Sequence, residues 1–247
     1  MEILLHIPHA SMALPESFYP GLRMSPQDLA FVMKKHVDRY TDLLFAREGI
    51  PAAIAPYSRY NCDVERFADD AMEPMSKRGQ GVVYTHAYDG RWMHEHDHAY
   101  LQEAMRYYHD YHAKLDKLAC EVASKEKTIV VLDCHSYADD VVAHFHPEPY
   151  PDVCLGVEKD YTDPQVFDLI QKIVLRHGYS MAIDQPFQGA LIPNALMNRS
   201  DIRVIAFMLE LNHRIYLTID GEWDPQKAKK TQTILDQIYE GIRSMSR

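Results

Sequence analysis

Short apolar runs that end in polar loops alternate along this chain with stretches whose apolar positions recur every three or four residues. The sharpest case is Val130-Val131-Leu132, which follows the charged Lys125-Glu126-Lys127 and turns abruptly into Asp133-Cys134-His135-Ser136. A brief, unbroken apolar run predicts a strand covered on both faces, here Thr128 to Cys134. The switch to reactive side chains sits at its carboxyl end, where open α/β sheets keep their ligand crevices. Similar runs predict strands at Glu2 to Ile7, Ile50 to Ala55, Val153-Gly156, Ser180-Ile183 and Val204-Leu211, with a further extended piece from Ser58 to Asp63. Ser25-Pro26-Gln27-Asp28 reads as a helix start with Ser25 as N-cap and Pro26 at the first helical position. Its apolar positions carry the helix to about Arg47. Leu101, Met105, Tyr108, Tyr111, Leu115, Leu118 and Val122 place one long amphipathic helix between Asp97 and Ser124. Two more helices follow, Pro164-Arg176 and Pro225-Met245. Between Phe67 and Trp92 the pattern weakens around Gly79, Gly81 and Gly90, which predicts a long excursion of functional kind. Strands alternating with helices specify an α/β fold, a three-layer α/β/α sandwich on a mixed, largely parallel sheet.

Composition narrows this picture. A length of 247 residues at 47% hydrophobic content suffices for a sizeable core, and no linker, repeat or low-complexity tract divides the chain. Residues 1–247 are read as a single catalytic domain. A net charge of −10 without any Lys/Arg cluster excludes a nucleic-acid surface. A small anionic substrate would depend on a few local arginines. The amino terminus lacks a basic region and a cleavage site, and no run reaches the length of a membrane span. Cys62, Cys120, Cys134 and Cys154 are scattered, as reduced thiols in a cytoplasmic protein would be. Nothing in the sequence sets the oligomeric state.

Four loops that follow expected strands hold ionisable groups: His6 to His9, Arg59 to Arg66, Asp133 to His135, and Glu210 to Tyr216. Glu210 closes an apolar run, where a carboxylate is costly to bury unless it is paired or used. Two imidazoles, a carboxylate and an unligated glutamate are what a hydrolytic zinc centre requires. No HExxH-type motif is present, so residue chemistry alone leaves a plain turn at Asp133-x-His135 as the alternative.

Several stretches taken together resemble the N-formylglutamate amidohydrolase family. They are His6-Ile7-Pro8-His9-Ala10-Ser11, Tyr57 through Arg66, Gly79-Gln80-Gly81-Val82-Val83-Tyr84-Thr85, Tyr111-His112, Asp133-Cys134-His135-Ser136, Pro151 through Gly156, Pro186-Phe187-Gln188-Gly189, and Glu210 through Tyr216. That family is similar in turn to zinc carboxypeptidases and aspartoacylase, which implies a phosphorylase/hydrolase-like fold and one bound Zn2+. By the resemblance, His9 and His135 match zinc ligands, and Asp38 is the favoured carboxylate ligand with Asp42 second. Glu210 resembles the general base and proton donor, and Arg59 the group that polarises the scissile carbonyl. Arg66 resembles the clamp on a substrate carboxylate, with Asp63, Tyr216 and His112 as further substrate-binding positions.

One departure is notable. The family's usual Asp-x-Asn-Arg reads Asp63-Val64-Glu65-Arg66 here, and a carboxylate beside Arg66 opposes a dianionic substrate unless Glu65 turns away. Elsewhere the plainer assignments are preferred. His94-Glu95-His96-Asp97-His98 reads as a solvated segment capping the long helix. His144 and His146 read as surface histidines, His6 as a support for the first strand, and Asp133 as an acceptor behind His135. The expected activity is cleavage of N-formyl-L-glutamate, with another N-acyl amino acid, a short peptide, or a non-catalytic metal- or carboxylate-binding protein as alternatives.

Overall fold

A computed structural model describes residues 1–245 of the chain. Six strands form one sheet: β1 (Glu2–Ile7), β2 (Ala52–Ile54), β3 (Thr128–Tyr137), β4 (Val153–Val157), β5 (Met181–Ile183) and β6 (Arg203–Asn212). Their order is β2-β1-β3-β6-β4-β5, parallel throughout except where β4 meets β6. The helices are α1 (Pro26–His36), α2 (Thr41–Phe45), α3 (His98–Ala123), α4 (Asp139–Val142), α5 (Pro164–Arg176) and α6 (Pro225–Ser244).

Side chains alternate across a strand, so each central strand serves two layers. Leu5, Ile7, Val130, Leu132, Cys134, Ile205, Phe207 and Leu209 face α2, α5 and α6 in one core cluster. Leu4, Ile129, Val131 and Ala206 face α3 in another. Continuing the second set by twos gives His6, Asp133, His135, Met208 and Glu210 on the α3 face, at the carboxyl ends of three adjacent strands. Parallel register aligns them: His6 lies beside Asp133, Asp133 beside Met208, and His135 beside Glu210. β1 leads to β2 on one side, while β3 lies on its other side. The crevice between β1 and β3 is therefore a topological switch point.

The structure departs from the sequence expectation in four places. The helix expected from Ser25 to Arg47 breaks in two. Val37 is extended and Tyr40 adopts a left-handed φ of 67°. The break lets the Asp38 amide donate to the His9 carbonyl at 3.1 Å and turns the Asp38 side chain onto β3, a tertiary gain that overrides helix propensity. Ser58 to Asp63 is a turn rather than a strand, with the amides of Asn61 and Cys62 both donating to the Ser58 carbonyl. That turn brings Arg59 and Asp63 together at 2.9 Å. The excursion from Phe67 to Trp92 packs: Tyr60, Val82, Tyr84 and Met93 form a third core with Val32 of α1 and Tyr100 of α3. Finally, β3 runs on to Tyr137, so His135 and Ser136 belong to the strand itself. Among the described residues no helix is long and apolar enough to cross a membrane.

Phe207 is fully buried in the strand that carries Glu210. Phe207→Ala should lower the unfolding free energy in urea by about 3–5 kcal/mol, and a loss under about 1 kcal/mol would contradict this packing.

Candidate metal centre and active site

His9 leaves the end of β1 on the Pro8 turn and is buried. Its Nε2 lies 2.7 Å from Asp63 Oδ1, while its Nδ1 has no hydrogen-bond partner and lies 3.8 Å from Asp38 Oδ2. His135 approaches the same oxygen from β3, with Nδ1 at 3.0 Å. The two rings lie 5.0 Å apart. Imidazoles more than half the chain apart in sequence thus converge on one carboxylate. The Ser136 amide fixes that carboxylate by donating to Oδ2 at 3.1 Å.

The opposite nitrogens are already engaged. His9 Nε2 meets Asp63, and His135 Nε2 lies 3.1 Å from Asp133 and 3.0 Å from Glu65. Carboxylates behind both imidazoles leave the Nδ1 atoms to face a cation, the arrangement that orients histidine ligands in metal sites. Two carboxylates compete for the third position. Glu65 also has a ligand atom within 4.8 Å of those of His9 and His135. Asp38 meets both histidines on the Nδ1 side, whereas Glu65 meets His135 at Nε2. Asp42 does not line the cavity.

Around this group lies a cavity of about 270 Å³, lined among others by Arg59, Arg66, Gln80, Phe187 and Glu210. Glu210 is buried with Oε2 unpartnered, and burial, reinforced by Asp38 and Glu65, pushes its pKa up to about 8. Arg59 sits 2.9 Å from Asp63 and 3.8 Å from Asp38. Burial opposes the charge on Asp63, but His9, Arg59 and Arg66 hold its pKa well below the usual carboxylate range. Burial likewise works against a charged imidazole at His135, yet Glu65 and Asp133 raise its pKa well above the ordinary value.

Some expected site residues stand elsewhere. Asp63 is fully buried beneath Arg59 and the Tyr84 hydroxyl, where it organises the site without lining the cavity. Tyr216 is also fully buried, its hydroxyl donating to Ser136 Oγ at 2.8 Å, so it supports β3 and does not line the cavity. His112 lies 2.8 Å from the Val64 carbonyl and lines a neighbouring cavity. His6 contacts Asp133 and Glu65 instead of His9. His94 is buried against the Phe18 carbonyl at 2.7 Å, contrary to a solvated segment, although Asp97 does cap α3. His146 is exposed at the cavity rim. Sequence reasoning missed Gln80, buried with Oε1 unpartnered in the cavity wall, and His36 beside it. Neither lies in a periodic pattern that would single it out.

The model of the family described as N-formylglutamate amidohydrolase matches residues 1–217 of this chain. The chain belongs to the N-formylglutamate amidohydrolase family. No curated protein matches it. Among solved structures, the N-formylglutamate amidohydrolase from Ralstonia eutropha JMP134 is similar at a TM-score of 0.82 and 20% identity, over 98% of this chain and 94% of that one. A gene product of Agrobacterium tumefaciens is similar at a TM-score of 0.69 and 13% identity, over 100% of this chain and 92% of that one. These likenesses concern the fold, an α/β architecture shared along the chain. Family membership makes this an amidohydrolase-family chain, and the geometry above is where such chemistry would be sought.

The buried charges give metal-depleted protein a characteristic pH response. His6 is pulled down by burial but pushed up to about 9 by Asp133 and Glu65, and His135 is raised as well. Stability from a raised imidazole is complete below about 6.5 and is lost as pH climbs through the raised value. Glu210, raised to about 8, acts in the same direction because ionising it in place is unfavourable. The lowered carboxyls of Asp63 and Glu65 matter only on the acid side. The melting midpoint of chelator-treated protein should therefore fall between about pH 6.5 and 9. A midpoint that is flat or rises over this interval would refute the charge assignment.

Proposed function

We propose that this chain is a zinc-dependent amidohydrolase that cleaves the acyl amide of a small N-acyl amino acid, with N-formyl-L-glutamate the leading substrate. The observation that carries the reading is the convergence of His9 Nδ1, His135 Nδ1 and Asp38 Oδ2 beneath an unpartnered Glu210. The donor set fits the ion: two imidazole nitrogens and one carboxylate oxygen, each histidine backed by a carboxylate, suit zinc with one coordination position left open. When bound there, zinc supplies Lewis acidity to the carbonyl and to the attacking water.

The remaining work falls to the chain's own residues. Glu210 removes a proton from the attacking water and returns it to the departing amine nitrogen, a task suited to a carboxyl whose pKa has been lifted towards neutrality. Arg59 is held by Asp63 and faces the cavity, where it stabilises the oxyanion. Arg66 holds a substrate carboxylate with its planar fork. Glu65 does not oppose it, because its oxygens are directed at His135 and His6, at 3.0 and 3.4 Å. The carboxylate that looked adverse in the sequence is thus committed elsewhere.

A second reading has a specific observation behind it. Val141, Val142, Phe145 and Phe187 give the cavity an apolar wall that a formyl group does not need. That wall favours a larger acyl group on the same amino acid. Hydrolysis rates across a panel of N-acyl glutamates and N-formyl amino acids separate the two. Preference for formyl with an acidic side chain supports the leading substrate, and preference for longer acyl chains supports the second.

Glu210→Gln keeps the shape of the side chain and all the metal donors. Its kcat should fall by at least about a hundredfold with zinc content unchanged. Near-normal turnover in that variant would remove Glu210 from the mechanism. His9→Asn should lose activity and bind one ion fewer than wild type, and a variant with the wild-type metal content would displace His9 from the ligand set.

A further inference from the structure

Behind the His135 ring lies a second group of ligand atoms that the hydrolytic reading does not use. His6 Nδ1 is 2.8 Å from Asp133 Oδ1 and 3.4 Å from Glu65 Oε1. His135 Nε2 closes the group at 3.0 Å from Glu65 Oε2 and 3.1 Å from Asp133 Oδ1. We propose that this chain binds a second divalent transition-metal cation, held by His6 Nδ1, Asp133 and Glu65 on the side of His135 away from Asp38. The proposal deepens the metal reading of the same site but does not need its ligands His9 and Asp38.

Three observations carry it. First, ligand atoms of His6, Glu65 and Asp133 all lie within 4.8 Å of one another. The contacts of 2.8 to 3.4 Å match or fall a little inside the edge of about 3.4 Å expected for a tetrahedron with zinc bond lengths. A modest expansion would admit an ion. Second, the group is incompletely satisfied by its own contacts. Glu65 Oε1 has no hydrogen-bond partner, although His6 beside it is fully buried.

Third, the position has its own entrance. A cavity of about 570 Å³ reaches Glu65 and Asp133 from the side of His112 and Gly189. Loading the ion sends the proton that His6 Nδ1 shares with Asp133 to solvent, as cation binding to imidazole requires.

Metal stoichiometry tests this directly. Purified protein is stripped with a chelator, reloaded with Zn2+, dialysed, and weighed by native mass spectrometry. Wild type should carry two ions per chain. Glu65→Gln and His6→Asn should each carry one, as should His9→Asn, and the His9→Asn/Glu65→Gln double variant should carry none. Near-UV circular dichroism establishes which variants are folded, but the wild-type count decides even if a variant is not. Saturation of wild type at one ion, or a second ion that persists in both Glu65→Gln and His6→Asn, would overturn the proposal. Two ions without any amide hydrolysis would uphold it and defeat the function proposed above. One ion with hydrolysis would do the reverse.

Discussion

Carboxylates cannot be crowded into a buried patch without positive charge between them, and this constraint governs the structure. Asp38, Asp63, Glu65, Asp133 and Glu210 come from four separate parts of the chain and meet in one crevice. Each would carry a large desolvation penalty alone. They are tolerated because imidazoles and guanidiniums are threaded among them: His9 between Asp38 and Asp63, His135 between Asp38, Asp133 and Glu65, and Arg59 against Asp63. Such an alternation of acid and base spends folding stability on preorganisation. It is the electrostatic setting that a cation, and hydrolysis assisted by one, would require.

The sheet supplies the geometry. Because β1, β3 and β6 are parallel and in register, a period of two along each strand puts His6, Asp133, His135 and Glu210 on one face without any loop having to aim them. Apolar residues at earlier positions of the same face pack on α3, so the polar ends are held by a rigid core. Loops then bring what the strands cannot. The turn after β1 delivers His9, the break between α1 and α2 delivers Asp38, and the turn at Ser58 delivers Arg59 and Asp63.

What the sequence made legible follows the same division. Strands with unbroken apolar runs, such as Val130-Val131-Leu132, and helices with a clear period, such as α3 and α5, stand where the pattern placed them. Residues at strand ends, His135 and Glu210, were readable because a polar group after an apolar run is conspicuous. Asp38 was harder, since the local pattern continued as a helix and only the long-range bond to β3 breaks it. Tyr216 and His112 are hard to place for a related reason. Proximity in sequence to a reactive segment says nothing about which way a side chain faces: Tyr216 turns inward onto Ser136, and His112 meets the Val64 carbonyl beside a neighbouring cavity. Glu65 shows the limit most clearly: beside Arg66 in sequence, it is engaged with the two imidazoles His6 and His135 in space.

In the proposed function His9, Asp38 and His135 act together on one ion in front of Glu210. A crystal structure of the zinc-loaded protein, with anomalous scattering recorded at the zinc edge, tests that most directly. A peak is expected about 2.0–2.2 Å from His9 Nδ1, His135 Nδ1 and an Asp38 oxygen, with Glu210 outside the coordination sphere. Zinc held without His9 and Asp38, or ligated by Glu210 itself, would contradict it.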